Sequence, residues 1–63
     1  DPKAAVTYYD KAIDANPKRS ESFYRRGLVE LLTGKREDGC QDLRKAKELG
    51  YIQAEEALKN YCK

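Results

Sequence analysis

The stretch FYRRGLVELLTGKREDGCQDLRKA, residues 23–46, contains two amphipathic patterns, one on each side of Gly34. In both halves apolar residues recur at three- and four-residue steps, which is the spacing of a helix face. We expect one helix at residues 20–33, with Ser20 as its N-cap and Gly34 as its stop. A second helix is expected to begin beyond Lys35 and to end at Leu49.

The segments before and after this pair also have helical patterns. Residues 3–15 are expected to form a helix with Asp1 as its cap and Pro17 as its stop. A fourth helix is expected at residues 52–61. No segment has the alternating pattern of a strand between turn signals. We therefore predict an all-α chain of four helices joined by short turns.

The sequence also repeats weakly, with a period of 34 residues. When the chain is shifted by this distance, Lys11 and Ala12 fall on Lys45 and Ala46. Other positions largely keep their small, large or charged character. A repeat of this length made of two helices is typical of a helical solenoid, in which antiparallel helix pairs stack side by side.

The order of small and large residues in this repeat resembles the tetratricopeptide repeat family, and the resemblance covers the whole chain. Helix axes approach closely where small side chains meet, and large side chains fill the grooves beside them. The residues that carry the resemblance are Phe23, Gly27, Gly39, Leu43 and Ala46, with Ala5, Tyr9, Ala12 and Pro17 in the preceding copy. The chain departs from the family pattern at Arg26, Glu30, Gly39 and Tyr51, where leucine, tyrosine, alanine and proline are usual.

The resemblance divides the chain into three parts. Residues 1–16 correspond to the second helix of a truncated repeat, residues 17–50 to one complete repeat, and residues 51–63 to a C-terminal capping helix. A capping helix closes the open end of a solenoid and has a polar outer face. Its apolar stripe is expected to consist of Ala54, Ala57, Leu58, Tyr61 and Cys62. We therefore expect the chain to be the C-terminal piece of a longer, bacterial repeat protein.

The function that the resemblance implies is a non-enzymatic scaffold that binds a peptide or protein segment on the concave face of the helices. In this chain the concave residues are expected to be Glu21, Tyr24, Arg25 and Leu28. Tyrosine and arginine are frequent in binding surfaces because they combine contact area with directed hydrogen bonds. The alternative for the same residues is a solvated face with Tyr24 packed on the next helix.

A structural role is the alternative at the level of function: an element that ends the array and mediates oligomerisation without a ligand of its own. The first helix, if it lacks a partner before it, presents an apolar patch that favours self-contact. This self-association patch consists of Ala5, Tyr8, Tyr9 and Ala12, whereas Val6 and Ile13 are expected to pack inward. The corresponding expectation is a homodimer through the first helix.

Other classes of function have little support in the composition. The chain has no histidine, and no Asp or Glu lies in a Gly-rich or apolar turn that indicates a catalytic pocket. The net charge is only +2, and Glu21 interrupts the basic residues around Arg19 and Arg25, so nucleic-acid binding is not expected. We also expect no metal, no cofactor and no membrane span.

The chain has two cysteines, Cys40 and Cys62. If the third and fourth helices run antiparallel from the turn at Gly50, these cysteines lie at nearly the same height along the helix axes. Two states remain open: a disulfide that staples the capping helix, and two buried free thiols that act as small apolar residues. A disulfide would indicate the bacterial periplasm or envelope, and free thiols would indicate the cytoplasm.

Overall fold

The computed structural model describes residues 1–63 and contains four α-helices and no strand. The all-α prediction is therefore confirmed. Each predicted helix is found, with its ends displaced by no more than one residue. The helices are α1 (Pro2–Ala15), α2 (Ser20–Leu32), α3 (Arg36–Glu48) and α4 (Gln53–Tyr61).

The helix ends follow local chain chemistry. The Asp1 carboxylate accepts a hydrogen bond from the Lys3 amide at 3.0 Å, which satisfies one of the free N–H groups at the start of α1. Gly34 follows α2 and Gly50 follows α3, and their φ angles of 85° and 97° lie in the left-handed region that glycine enters without strain. Both glycine stops were predicted from the sequence.

The prediction that Ser20 is the N-cap of α2 is wrong by one residue. Ser20 is the first helical residue, and Arg19 precedes it without a side-chain capping bond. The Asn16 side chain accepts a hydrogen bond from the Lys18 amide at 3.2 Å, and the Asn16 carbonyl accepts one from the Arg19 amide at 3.1 Å. This tight turn brings the chain into the helix earlier than the capping preference of serine suggests.

Each helix packs on its neighbours along the chain: α1 on α2, α2 on α3, and α3 on α4. The core centre combines Phe23 of α2, Ala46 of α3 and Ala54 of α4, and Ile13 of α1 packs against it. The two alanines have no exposed surface. Their small side chains allow the helices to approach one another closely, while Phe23 fills the space between them.

The closest approach of α2 and α3 is at two glycines, Gly27 and Gly39, both of which are buried. A Cβ atom added to either glycine would press on the backbone carbonyl oxygen of the other. The sequence predicts Gly27 at the closest crossing with the following helix, near Gly39 or Ala46, and the structure places it beside Gly39. Leu43, which has no exposed surface, fills the groove beside the crossing.

The last helix is apolar on one face and polar on the other. Ala54 and Ala57 are buried, and Leu58 and Cys62 are half-buried, as the predicted stripe requires. Tyr61 is a correction, because 52% of its surface is exposed. The residues of the outer face are all exposed: Gln53, Glu55, Glu56, Lys59, Asn60 and Lys63.

Candidate functional site

The four residues predicted to form a concave binding face do not line one groove. The Tyr24 ring lies 4.6 Å from the ring of Tyr51, centroid to centroid, and both rings pack against the core. Glu21 and Arg25 pair with each other, with 3.0 Å between Nε and Oε2, and they line a groove next to α1. Leu28 lines a different groove, next to α4. The alternative expectation is that Tyr24 packs on the next helix; its ring instead packs on Tyr51, which lies in the turn between α3 and α4.

An apolar groove lies between α2 and the end of α4. Its lining residues are all apolar or aromatic, and its volume is about 430 Å³. The lining consists of Leu28, Leu31, Leu32 and Tyr61. Leu32 is 86% exposed and presents most of its side chain to solvent at this groove. We call this feature the α2–α4 groove.

Leu28 of the α2–α4 groove was predicted to be a binding residue, whereas Leu31, Leu32 and Tyr61 were not. The signal was present on α2, because Leu31 and Leu32 follow Leu28 at three- and four-residue steps and so share its face. Periodicity predicts Tyr61 in the inner stripe of α4, because it does not show where that stripe reaches the edge of the core.

The predicted self-association patch on α1 is only partly open to solvent. Tyr8 is 67% exposed, whereas Ala5, Tyr9 and Ala12 are half-buried. The Tyr8 and Tyr9 rings meet edge to face, with their centroids 5.3 Å apart. Tyr8 therefore provides most of the exposed apolar surface of this patch.

A polar cluster links three helices through one arginine, with one buried and one exposed carboxylate partner. Arg26 of α2 donates two hydrogen bonds to the Asp42 carboxylate of α3, at 2.8 and 2.9 Å, and a third to Asp10 of α1 at 2.6 Å. Its guanidinium carbon also lies 5.7 Å from the centroid of the Phe23 ring. Asp42 is buried, so this forked pair compensates the cost of placing its charge among the helices. Arg26, the departure from the family pattern, thus has a structural partner.

Glu30, another departure, is buried beside this cluster. Its Oε1 atom has no hydrogen-bond partner. The pKa of Glu30 is raised to about 8, chiefly because burial disfavours its charged form; the neighbouring Asp42 carboxylate contributes to this rise, while the Arg26 charge opposes it. The carboxyl group of Glu30 is therefore neutral in the folded chain over much of the range below pH 8.

Cys40 and Cys62 form a disulfide between α3 and the end of α4, with their Cα atoms 5.8 Å apart. Of the two states left open by the sequence, the structure contains the disulfide. None of the four helices combines the length and the apolar character that a membrane crossing requires.

Comparisons with known proteins return no match to this chain, whether by family model, by curated protein sequence or by solved structure. The class that the structure defines is therefore an all-α chain of four sequentially packed helices, with an apolar groove at one edge.

Proposed function

We propose that the chain is a terminal part of a helical-repeat array of the tetratricopeptide type. Three features support this proposal: the packing of each helix on its neighbours in the chain, the glycine crossing of α2 and α3, and the polar outer face of α4. In repeat arrays each unit contacts only the units beside it, and the last unit needs a polar outer surface. Gly27 and Gly39 occupy positions at which the tetratricopeptide repeat family has small residues.

Its proposed function is non-enzymatic: the chain binds a partner protein segment that presents an aliphatic or aromatic side chain. The observation that carries this proposal is the α2–α4 groove, which is concave, apolar and close to solvent. Single exposed leucines are ordinary on protein surfaces, but a cluster around one cavity is typical of a recognition site.

The chemistry of the lining favours this kind of occupant. No charged side chain lines the α2–α4 groove, so a charged anchor residue would lose its hydration without gaining a partner. An aliphatic or aromatic anchor instead removes apolar area from water on both sides, at roughly 25 cal/mol per Å². The Tyr61 hydroxyl can in addition hydrogen-bond the backbone of the bound segment.

Two matched variants test this proposal on a peptide array. Leu32 and Ile52 are equally exposed, at 86% and 85%, but only Leu32 lines the groove. The native chain and Ile52→Glu should select the same peptides, enriched in a central aliphatic or aromatic residue. The variant Leu32→Glu should no longer bind these peptides. Selection of no peptide by the native chain, or equal binding by Leu32→Glu, would overturn the proposal.

The second candidate function is an element that terminates the array and mediates oligomerisation. The exposed ring of Tyr8 on α1 is the observation that favours it. The peptide array, together with sedimentation velocity of the native chain and Tyr8→Ser, separates the two candidates, because an oligomerisation element selects no peptide but forms a dimer that depends on Tyr8.

A further inference from the structure

A second groove surrounds the disulfide, along α3 and the end of α4. It has a volume of about 220 Å³, and both Cys40 and Cys62 line it. Arg36 and Arg44 lie four residues before and four residues after Cys40, so the three side chains share one face of α3. Lys63, next to Cys62, also lines this groove. We call it the disulfide groove.

The cations of the disulfide groove are unpaired. Arg36, Arg44 and Lys63 take part in no ion pair, whereas Arg25, Arg26 and Lys47 each have a carboxylate partner. Glu37 is the one acidic residue among the lining residues. The groove therefore combines a disulfide with an excess of positive charge, which raises the local concentration of small anions.

We propose, independently of the peptide groove, that the Cys40–Cys62 disulfide is an exchange site for an anionic low-molecular-weight thiol. The thiolate of this molecule attacks the Sγ atom of Cys62, and a new disulfide forms between them. The bond between Cys62 and Cys40 breaks, and Cys40 leaves with the electron pair as a thiolate. The attacking sulfur is oxidised to the disulfide level and the Cys40 sulfur is reduced, so no further reactant is needed.

The surroundings of the two cysteines determine which sulfur atom is attacked and which one leaves. Cys40 is buried, with 6% of its surface exposed, whereas Cys62 is half-buried and also lines a neighbouring groove with Arg44. An incoming thiolate therefore reaches Cys62 more easily. Cys40 shares one face of α3 and the lining of the disulfide groove with Arg36 and Arg44, and guanidinium groups near a leaving sulfur stabilise its thiolate and speed its departure.

The consequence for the fold is local. Exchange removes the covalent link between α3 and the end of α4 and leaves the small molecule attached to Cys62. Tyr61, beside Cys62, belongs to the α2–α4 groove. If that groove binds a peptide, exchange should weaken the binding; this consequence rests on the proposed function, whereas the exchange reaction does not.

Opening rates with thiols of different charge test the inference. The native, unreduced protein is treated with 2-mercaptoethanesulfonate, 2-mercaptoethanol or cysteamine, and opening is followed by intact mass after alkylation. Each rate is divided by the concentration of the thiolate form of the reagent. At low salt the anionic thiol should open the disulfide about tenfold faster than the cationic one, and 0.5 M salt should largely remove this preference.

Charge variants provide the matched comparison. Arg36→Gln/Arg44→Gln should abolish the preference for the anionic thiol, while Lys11→Gln/Lys18→Gln, which removes the same charge from exposed positions elsewhere, should keep it. Peptide mapping should place the adduct on Cys62 and the alkyl group on Cys40. An unchanged preference in the arginine variant, an adduct on Cys40, or two thiols that alkylate before any thiol is added would each overturn the inference.

Discussion

A Cβ atom added to Gly27 would lie 2.9 Å from the carbonyl oxygen of Gly39, and one added to Gly39 would lie 2.7 Å from that of Gly27. Both distances are shorter than a carbon–oxygen contact allows, and both involve backbone atoms that cannot rotate away. The two glycines therefore set the distance between α2 and α3, on which the position of every other contact between these helices depends.

The glycine crossing predicts the effect of larger residues there. Alanine is a better helix former than glycine by about 1 kcal/mol, yet Gly27→Ala should destabilise the chain, and Gly27→Leu should cost roughly 1 to 3 kcal/mol or more by overpacking. Urea unfolding followed by circular dichroism measures this. Gln41→Ala, at an exposed position of α3, is the control and should be nearly neutral. A Gly27→Ala variant more stable than the native chain would contradict the prediction.

The pairing of Arg26 with Asp42 predicts strong coupling between these two residues. Arg26→Leu restores the residue usual in the resembling family, but it leaves the buried Asp42 carboxylate without its partner and should cost about 3 kcal/mol or more. The double variant Arg26→Leu/Asp42→Leu removes both charges and should recover most of this loss. A double-mutant cycle measured by chemical unfolding gives the interaction energy between Arg26 and Asp42. Additive effects of the two single substitutions would argue against a coupled pair.

The raised pKa of Glu30 predicts that the free energy of unfolding decreases as the pH rises. Its pKa is raised from the ordinary 4.5 to about 8, so between these values the folded chain holds a proton that the unfolded chain releases. The stabilisation is complete below about pH 4.5 and is lost as the pH approaches 8. We expect the free energy of unfolding to decrease by roughly 1 to 3 kcal/mol across this window.

Glu30→Gln tests this pH dependence, because glutamine has the same shape and does not titrate. The variant should have a nearly flat stability profile between pH 5.5 and 8.5, a range with no histidine to interfere. Glu37→Gln, at an exposed position in the first turn of α3, should keep the native slope. If the slope persists in Glu30→Gln, another group is responsible.

The disulfide should supply a substantial part of the stability of so short a chain. It closes a loop with a sequence separation of 22 residues, for which the loop-entropy model gives about 3 kcal/mol. Cys40→Ala/Cys62→Ala should therefore be less stable by about this amount. Added reductant should lower the stability of the native chain and leave the variant unchanged. Equal stability of both proteins without reductant would show that the link contributes nothing.

Exposure of Tyr8 predicts self-association through α1. Sedimentation velocity should detect a dimer whose population increases with protein concentration, and Tyr8→Ser should shift it to monomer because the exposed ring is removed. Tyr61→Ser, which removes an exposed ring at the other edge, is the control and should leave the dimer intact. A strict monomer at millimolar concentration would count against this prediction.

The sequence by itself determined the helices and where they end. The signals are local: the spacing of apolar residues, Asp1 before Pro2, and the glycines after α2 and α3. They act over a few residues, so they can be recognised without knowing the fold. The crossing at Gly27 and Gly39 was also predictable, because a buried glycine inside a helix indicates a close approach. The N-cap of α2 was missed since the Asn16 side chain competes for the same turn.

The tertiary structure decided everything that depends on which faces meet. It placed Arg26 between Asp10 and Asp42, left Glu30 Oε1 without a partner, and joined Cys40 to Cys62. It also separated the residues predicted to form one concave face. Periodicity gives the direction of a side chain around its own helix but not the rotation of one helix against the next, which depends on the packing of the whole core.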